Sequence, residues 1–346
     1  MPVTAEVMPA STAICTWFVA DDSASATYFP QVSSRSDAPE TQAVYWRCTV
    51  GFYASSLALN PQSRHIFYTN TCLPIIDGLD IAALFACWGV EVVTLPITYR
   101  LPKGAVGSWG NQFYIFDVLD HFSANAPASR IIVLDSDCLW LKPVDDMVQA
   151  IDQHGALTYR LDDDEHQLGS AINGLSREGM ALFLARHGGS KLDSTPYFGG
   201  EIYAASLAVT REISEQARLL WPEIVEQGPD APREEAHFLS ILYALAGIEP
   251  GTGNAFIRRM WTTFHHNNLR SQDRDLTIWH LPAEKKTGFA DLFSRIAAQP
   301  EAHPARDAAA LGLNPARYAR DMGWPRRRPG KFLRDLGLKL AEKIRA

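Results

Sequence analysis

The chain has 346 residues, of which 47% are hydrophobic, 10% aromatic and 21% charged, a balance that excludes a disordered chain. Its 32 Lys and Arg against 39 Asp and Glu, a formal charge of -7, exclude a whole-chain basic footprint for nucleic acid. No apolar run reaches the roughly 20 residues of a bilayer-spanning helix.

Residues 1–10 lack the basic and apolar regions of a secretory signal, so none is expected. Five scattered cysteines with no C-x-x-C pair suggest reduced, mostly buried thiols in a cytoplasm, not a disulfide frame or zinc site.

Four segments of the N-terminal half read as buried strands: 13–20, 65–70, 90–95 and 130–134. Each is apolar or β-rich and is bounded by polar or turn residues. Helical patterns lie between them over 41–59, 75–88 and 111–122. Strands alternating with helices predict βαβ crossovers and an α/β fold with a mostly parallel central sheet flanked by helices. Ligands of such sheets lie beyond the carboxyl ends of the strands, where Asp21, Asn70 and Asp135 stand. The second half is mixed, with strands expected at 155–160, 197–204 and 275–280. Helices are expected at 207–221, broken by Trp221-Pro222, and at 234–246. A boundary near 150 divides sub-domains at most.

The strongest local signal is the run from Arg130 to Pro143, R-I-I-V-L-D-S-D-C-L-W-L-K-P. A fully apolar strand delivers Asp135 and Asp137 at its C-terminal end. Side chains at i and i+2 of an extended segment point the same way. A hard divalent cation takes oxygen ligands and keeps positions open for phosphates. Asp at a strand end also serves as a turn former, and that alternative stands beside the metal reading.

This segment resembles the D-x-D motif of GT-A glycosyltransferases, nearest the group of glycogenin and the bacterial lipopolysaccharide galactosyltransferases. The resemblance spans about residues 13–290 and implies a GT-A (Rossmann-like) domain. Residues 13–150 would form its nucleotide half and 151–290 its acceptor and metal-completing half. A helical extension over 291–324 and a tail over 325–346 would follow. It implies Mn2+ or Mg2+ bridging the carboxylates and the diphosphate of a nucleotide sugar, a UDP-sugar being favoured. Asp135 would meet metal and ribose, Asp137 would be the main metal ligand, and Ser136 would lie against the donor.

Other parts of the pattern are found in order. Phe18-Val19-Ala20-Asp21-Asp22 is similar to the first-strand end that meets the nucleotide, with Asp21 accepting from base or ribose and Ala20 offering backbone groups. A plain strand exit is the other reading. Asn111 stands where relatives place a basic residue. Thr277 to Lys286 resembles the late His motif, in which His280 is a third metal ligand, Lys286 contacts diphosphate and Lys285 is its adjacent substitute. The family glycine is Ala283 here.

Tyr197-Phe198-Gly199-Gly200-Glu201 falls where the family has F-N-x-G. Its glycines either let backbone approach a sugar or mark a bulge, and Glu201 is an added carboxylate. Glu234 and Glu235 open a helix as macrodipole partners or stand near the transferred sugar. Asp162-Asp163-Asp164-Glu165 and His265-His266 read as solvated loops.

The tail, residues 325–346, carries eight bases and two acids, a net of +6 that leaves -13 for the remainder. Phe332, Leu333, Leu336, Leu340 and Ile344 share one helical face, which suits a helix lying on anionic lipid. A terminal helix docked on the domain would share that pattern. The sequence and its resemblance therefore predict a metal-dependent hexosyltransferase, retaining as the resemblance implies, with a nucleotide-sugar donor and a glycan or glycolipid hydroxyl acceptor. It would be cytoplasmic, peripheral on the inner face of the membrane. A metal-dependent nucleotidyltransferase and a non-catalytic sugar-nucleotide or glycan-binding protein are the rival readings.

Overall fold

The computed structural model describes residues 11–161, 171–189, 195–228, 230–263, 266–324 and 329–345. The acidic run 162–165, His265 and the bases at 326–328 lie outside the described residues.

Ten strands organise the site. They are β1 (Thr12–Phe18), β2 (Arg64–Thr69), β3 (Glu91–Thr94), β4 (Arg130–Leu134), β5 (Cys138–Trp140), β6 (Ala156–Arg160), β7 (Phe198–Ser206), β8 (Gly251–Thr252), β9 (Ile257–Arg259) and β10 (Ile278–His280). Seven form one sheet in the order β8-β6-β7-β4-β1-β2-β3. Pairings β1 with β2, β1 with β4, β2 with β3 and β6 with β8 are parallel; β7 runs against both β4 and β6. The four expected N-terminal strands thus form the parallel half, and the sheet is mostly parallel. A second sheet, β9-β10-β5, lies just past the end of β4.

The buried run Ile131 to Leu134 explains why β4 is central: it is covered on both faces, as a parallel strand requires. The helix Pro39–Leu59 covers one side. It begins with Pro39, and Asn60 ends it, the Asn60 Oδ1 accepting from Val144 N at 2.8 Å. Its Gly51 lets Phe289 and Leu292 of the helix Gly288–Ala297 approach, since a β-carbon there would stand 3.0 Å from both. One continuous apolar core runs from Ala13 to Trp324. Cys15, Cys48 and Cys138 are buried, Cys72 and Cys87 are exposed, and all five are free.

Several elements differ from expectation, among them the helix expected over 111–122, which runs Tyr114–Asn125. The helix expected over 75–88 is confined to Ile81–Trp88. The strands Ile75–Ile76 and Leu79–Asp80 precede it, joined through Asp77 and Gly78, both at positive φ. Pro222 does not end its helix, which runs Leu207–Glu226. The neighbouring Trp221 ring packs 5.0 Å from Tyr99 and 5.2 Å from Phe113, so tertiary packing overrides the lost backbone bond. The late strand starts only at Ile278, because Ser271–Asp275 forms a 3-10 turn. No helix among the described residues is long and apolar enough to cross a membrane.

Candidate active site

β4 ends at Leu134, and the chain turns at once: Asp135 N donates to Glu201 O at 3.3 Å and Cys138 N donates to Asp135 O at 3.2 Å. β5 then enters the second sheet, antiparallel to β10, with His280 opposite Cys138. Leu281 N donates to Asp137 O at 3.0 Å and locks that register. A residue 143 positions away in sequence is thereby set against the acid pair. His280 Nε2 stands 3.3 Å from an oxygen of Asp135 and 3.3 Å from an oxygen of Asp137.

Asp135, Asp137 and His280 each offer one ligand atom, all within 4.8 Å of one another. Both ring nitrogens of His280 are buried without a hydrogen-bond partner. A buried polar atom left unbonded is costly, and a histidine aimed at two carboxylates is the donor set of Mn2+ or a similar ion. The residues fit the expected cation.

The charges of the pair differ. Burial alone would raise the Asp137 carboxyl, but Lys285 and His280 outweigh it and hold Asp137 below the usual range. Asp135 is raised by burial and by the charge of Asp137. Lys285 makes an ion pair with Asp137.

These groups line a cleft of about 480 Å3 at the carboxyl ends of β1 and β4. Ser136, Gly200, Glu201, Glu234, Glu235 and Asn111 also line it, while Phe29, Tyr45, Trp109 and Trp261 supply aromatic wall. Glu201 makes an ion pair with Arg259. Arg259 is brought there by the parallel pairing of β9 with β10, which sets it opposite His280. Sequence reading missed Arg259, because nothing local marks it; only that pairing does.

Glu234 accepts from Tyr197 Oη and Asn173 Nδ2, with His237 Nε2 3.4 Å away. Its carboxylate is held in place by these side chains. Glu235, the first residue of the helix Glu235–Leu245, has a buried Oε2 with no partner. Burial, and then the charge of Glu234, raise its carboxyl well above the ordinary range. A β-carbon at Gly200 would overlap Glu235 Oε1, so the glycine makes room for that carboxyl.

Four expected donor contacts fall outside the lining. Both backbone groups of Ala20 are engaged by one side chain: its N donates to Asn70 Oδ1 at 2.8 Å and its O accepts from Asn70 Nδ2 at 3.0 Å. Asp21 is buried, with one oxygen accepting from Arg100 Nη2 at 2.8 Å and the other from Asn111 Nδ2 at 3.3 Å. Gly199 instead gives space to Glu201, whose carboxylate a β-carbon there would overlap. Lys285 faces the cleft and Lys286 does not line it.

Five lining carboxyls, Asp135, Asp137, Glu201, Glu234 and Glu235, face two lining cations, Arg259 and Lys285. Even with Glu235 kept neutral by burial, the remaining four outnumber the two cations, and such a surface repels phosphate unless a further cation stands between.

No protein-family model matches the chain, and no curated protein matches it in sequence. Among solved structures it is similar to an active-site mutant of LgtC, with 13% identity and a TM-score of 0.46 over 86% of this chain and 99% of that one. It is also similar to galactosyltransferase LgtC in complex with donor and acceptor sugar analogs, with 14% identity and a TM-score of 0.44 over 93% and 99%. Mouse xyloside xylosyltransferase 1 in its apo form has 11% identity and a TM-score of 0.43, over 78% of this chain and 97% of that one.

Proposed function

We propose that this chain is a metal-dependent glycosyltransferase that moves a hexose from a nucleoside diphosphate sugar, a UDP-sugar in first place, to a hydroxyl of a glycan or glycolipid. The observation that carries the reading is the convergence of Asp135, Asp137 and His280 at the edge of an acidic cleft with aromatic walls. Those three residues would hold the Mn2+ or Mg2+. Bound there, the ion would supply Lewis-acid stabilisation of the leaving diphosphate.

The protein's own groups do the rest. The cleft excludes water from much of its wall with Phe29, Tyr45 and Trp109. Glu201, oriented by Arg259, and Glu235, given room by Gly200, face the sugar and the acceptor. A carboxyl kept neutral by burial donates a hydrogen bond to a sugar hydroxyl, a task open to Glu235. Glu234, fixed by Tyr197 and Asn173, sets the start of that helix. Retention of configuration follows the resemblance noted from sequence. Residues 13–150 form the donor half and 151–290 the acceptor half of this reading.

The tail suits attachment to an anionic membrane surface. Within the helix Pro329–Arg345, Lys331 pairs with Glu284 at 2.8 Å and Arg334 with Asp291 at 2.6 Å, which ties its charged side to the body. Leu333, Leu336 and Leu340 are 64%, 43% and 53% exposed. An apolar stripe with bases beside it lies in the headgroup region of anionic lipid. An acceptor built on lipid at the inner face of a membrane would then be within reach.

Incubation with a UDP-hexose and Mn2+, followed by product analysis, tests the reading. Release of UDP with sugar transfer or slow donor hydrolysis supports it. Release of pyrophosphate would mean nucleotidyl transfer, and intact donor bound without turnover would mean a binding protein.

A further inference from the structure

Lys285 is 3% exposed, follows the short turn Pro282–Glu284, and lies against Asp137 Oδ2. That same oxygen stands 3.3 Å from His280 Nε2. The Lys285 ammonium also lies 5.5 Å from the centre of the Tyr45 ring. A cation of the protein's own is therefore already seated on one of the three groups that converge on a common centre.

We infer that Lys285 is an exchangeable counter-ion: its ammonium leaves Asp137 when a divalent cation enters the Asp135–Asp137–His280 group and moves onto the donor's diphosphate, so that cation and nucleotide bind cooperatively. The inference rests on the metal-dependent reading above.

Three physical points carry it. Asp137 has a side chain only 2% exposed, and a buried carboxylate with no counter-ion is strongly unfavourable, so the cation-free protein needs Lys285 where it is. A divalent ion on the same oxygen would stand next to the ammonium, and two cations in a poorly solvated site repel strongly. Released, the ammonium has a four-carbon stem, faces the cleft and keeps the Tyr45 face beside it, so it stays partly compensated as it moves. The strongest anion entering that cleft would be the diphosphate. Each ligand would then remove a cost from the binding of the other, and such coupling is reciprocal.

The test titrates Mn2+ into the full-length wild type and Lys285→Met, with and without UDP, reading bound Mn2+ by electron paramagnetic resonance and folding by circular dichroism. The variant is expected to bind Mn2+ alone about tenfold more tightly than the wild type, which is about 1.4 kcal/mol. UDP is expected to tighten Mn2+ binding about tenfold or more in the wild type and by much less in the variant. Equal or weaker Mn2+ binding by the variant would make Lys285 a fixed strut and overturn the inference, leaving the cation site intact. If the variant does not fold, the wild type still decides: Mn2+ affinity indifferent to UDP overturns the inference. Absence of Mn2+ binding by both proteins overturns this inference and the metal-dependent reading together.

Discussion

His280 stands opposite Cys138 in the antiparallel pairing of β10 with β5, and this one register sets its imidazole against Asp135 and Asp137. The ring is aimed at nothing else: Nδ1 is buried with no partner, and Nε2 faces only those two carboxylates, at 3.3 Å from each. A residue kept for folding would be satisfied, whereas one kept for a ligand waits for it. His280→Leu removes the unsatisfied nitrogens while filling similar space. With Lys285 still paired to Asp137, the metal-free variant should melt within about 4 °C of the wild type, yet bind Mn2+ at least about tenfold more weakly. Thermal melts and Mn2+ titration check this pair. A variant that melts lower and binds Mn2+ as the wild type does would make His280 a structural residue.

Gly200→Ala probes the floor of the cleft. The added carbon collides with the Glu235 carboxyl, the mobile end of a side chain, so the helix need not move. The melting temperature should change by no more than about 4 °C, while turnover falls about tenfold or more. Gly200→Ala and Glu235→Ala together relieve the collision and should not restore the rate. Unchanged turnover in the single variant would remove Glu235 from the reaction.

His65 predicts how stability varies with pH. It is 3% exposed, Nε2 lies 2.8 Å from Ser56 Oγ and Nδ1 3.1 Å from Ser63 O. Burial lowers its pKa from 6.5 to about 4. The unfolded chain therefore takes up this proton first as pH falls. The fold has its full stability with respect to His65 above about pH 6.5 and loses it progressively down to about pH 4, by about 3 kcal/mol in all. Denaturant melts of wild type and His65→Gln across that range measure it. A wild-type slope no steeper than the variant's would contradict the assignment.

The terminal helix is tested without cutting the chain. Leu333→Glu, Leu336→Glu and Leu340→Glu together alter the exposed stripe and leave the Lys331–Glu284 and Arg334–Asp291 pairs intact. Wild type should sediment with phosphatidylserine vesicles and the triple variant should stay in the supernatant, both folded. Equal sedimentation would exclude the helix as the point of attachment.

The inner strands of the parallel half were legible because β1 and β4 are almost wholly buried and read as apolar runs, β4 followed by Asp135-x-Asp137 being the clearest case, whereas the edge strand β3 is largely exposed and was marked by its β-branched Val92-Val93 alone. His280 was legible through the Lys285-Lys286 pair that follows it, although which lysine faces the cleft was not. That choice depends on the turn Pro282–Glu284, which aims Lys285 at Asp137. Contacts set by pairing between distant segments had no local signal. Arg259 reaches Glu201 only because β9 runs beside β10. Asn70 closes on the Ala20 backbone only because β1 and β2 end side by side. Pro222 reads as a break and is not one, since the aromatic packing of Trp221 outweighs a single missing backbone bond.

In the proposed reading Asp135, Asp137 and His280 together hold a divalent cation that binds the donor's diphosphate. The decisive experiment titrates UDP into the wild type and Asp137→Ala by calorimetry, each with and without Mn2+. Mn2+ should strengthen UDP binding to the wild type and have no effect on the folded variant. Equal enhancement by Mn2+ in both proteins, or none in the wild type, would contradict that reading.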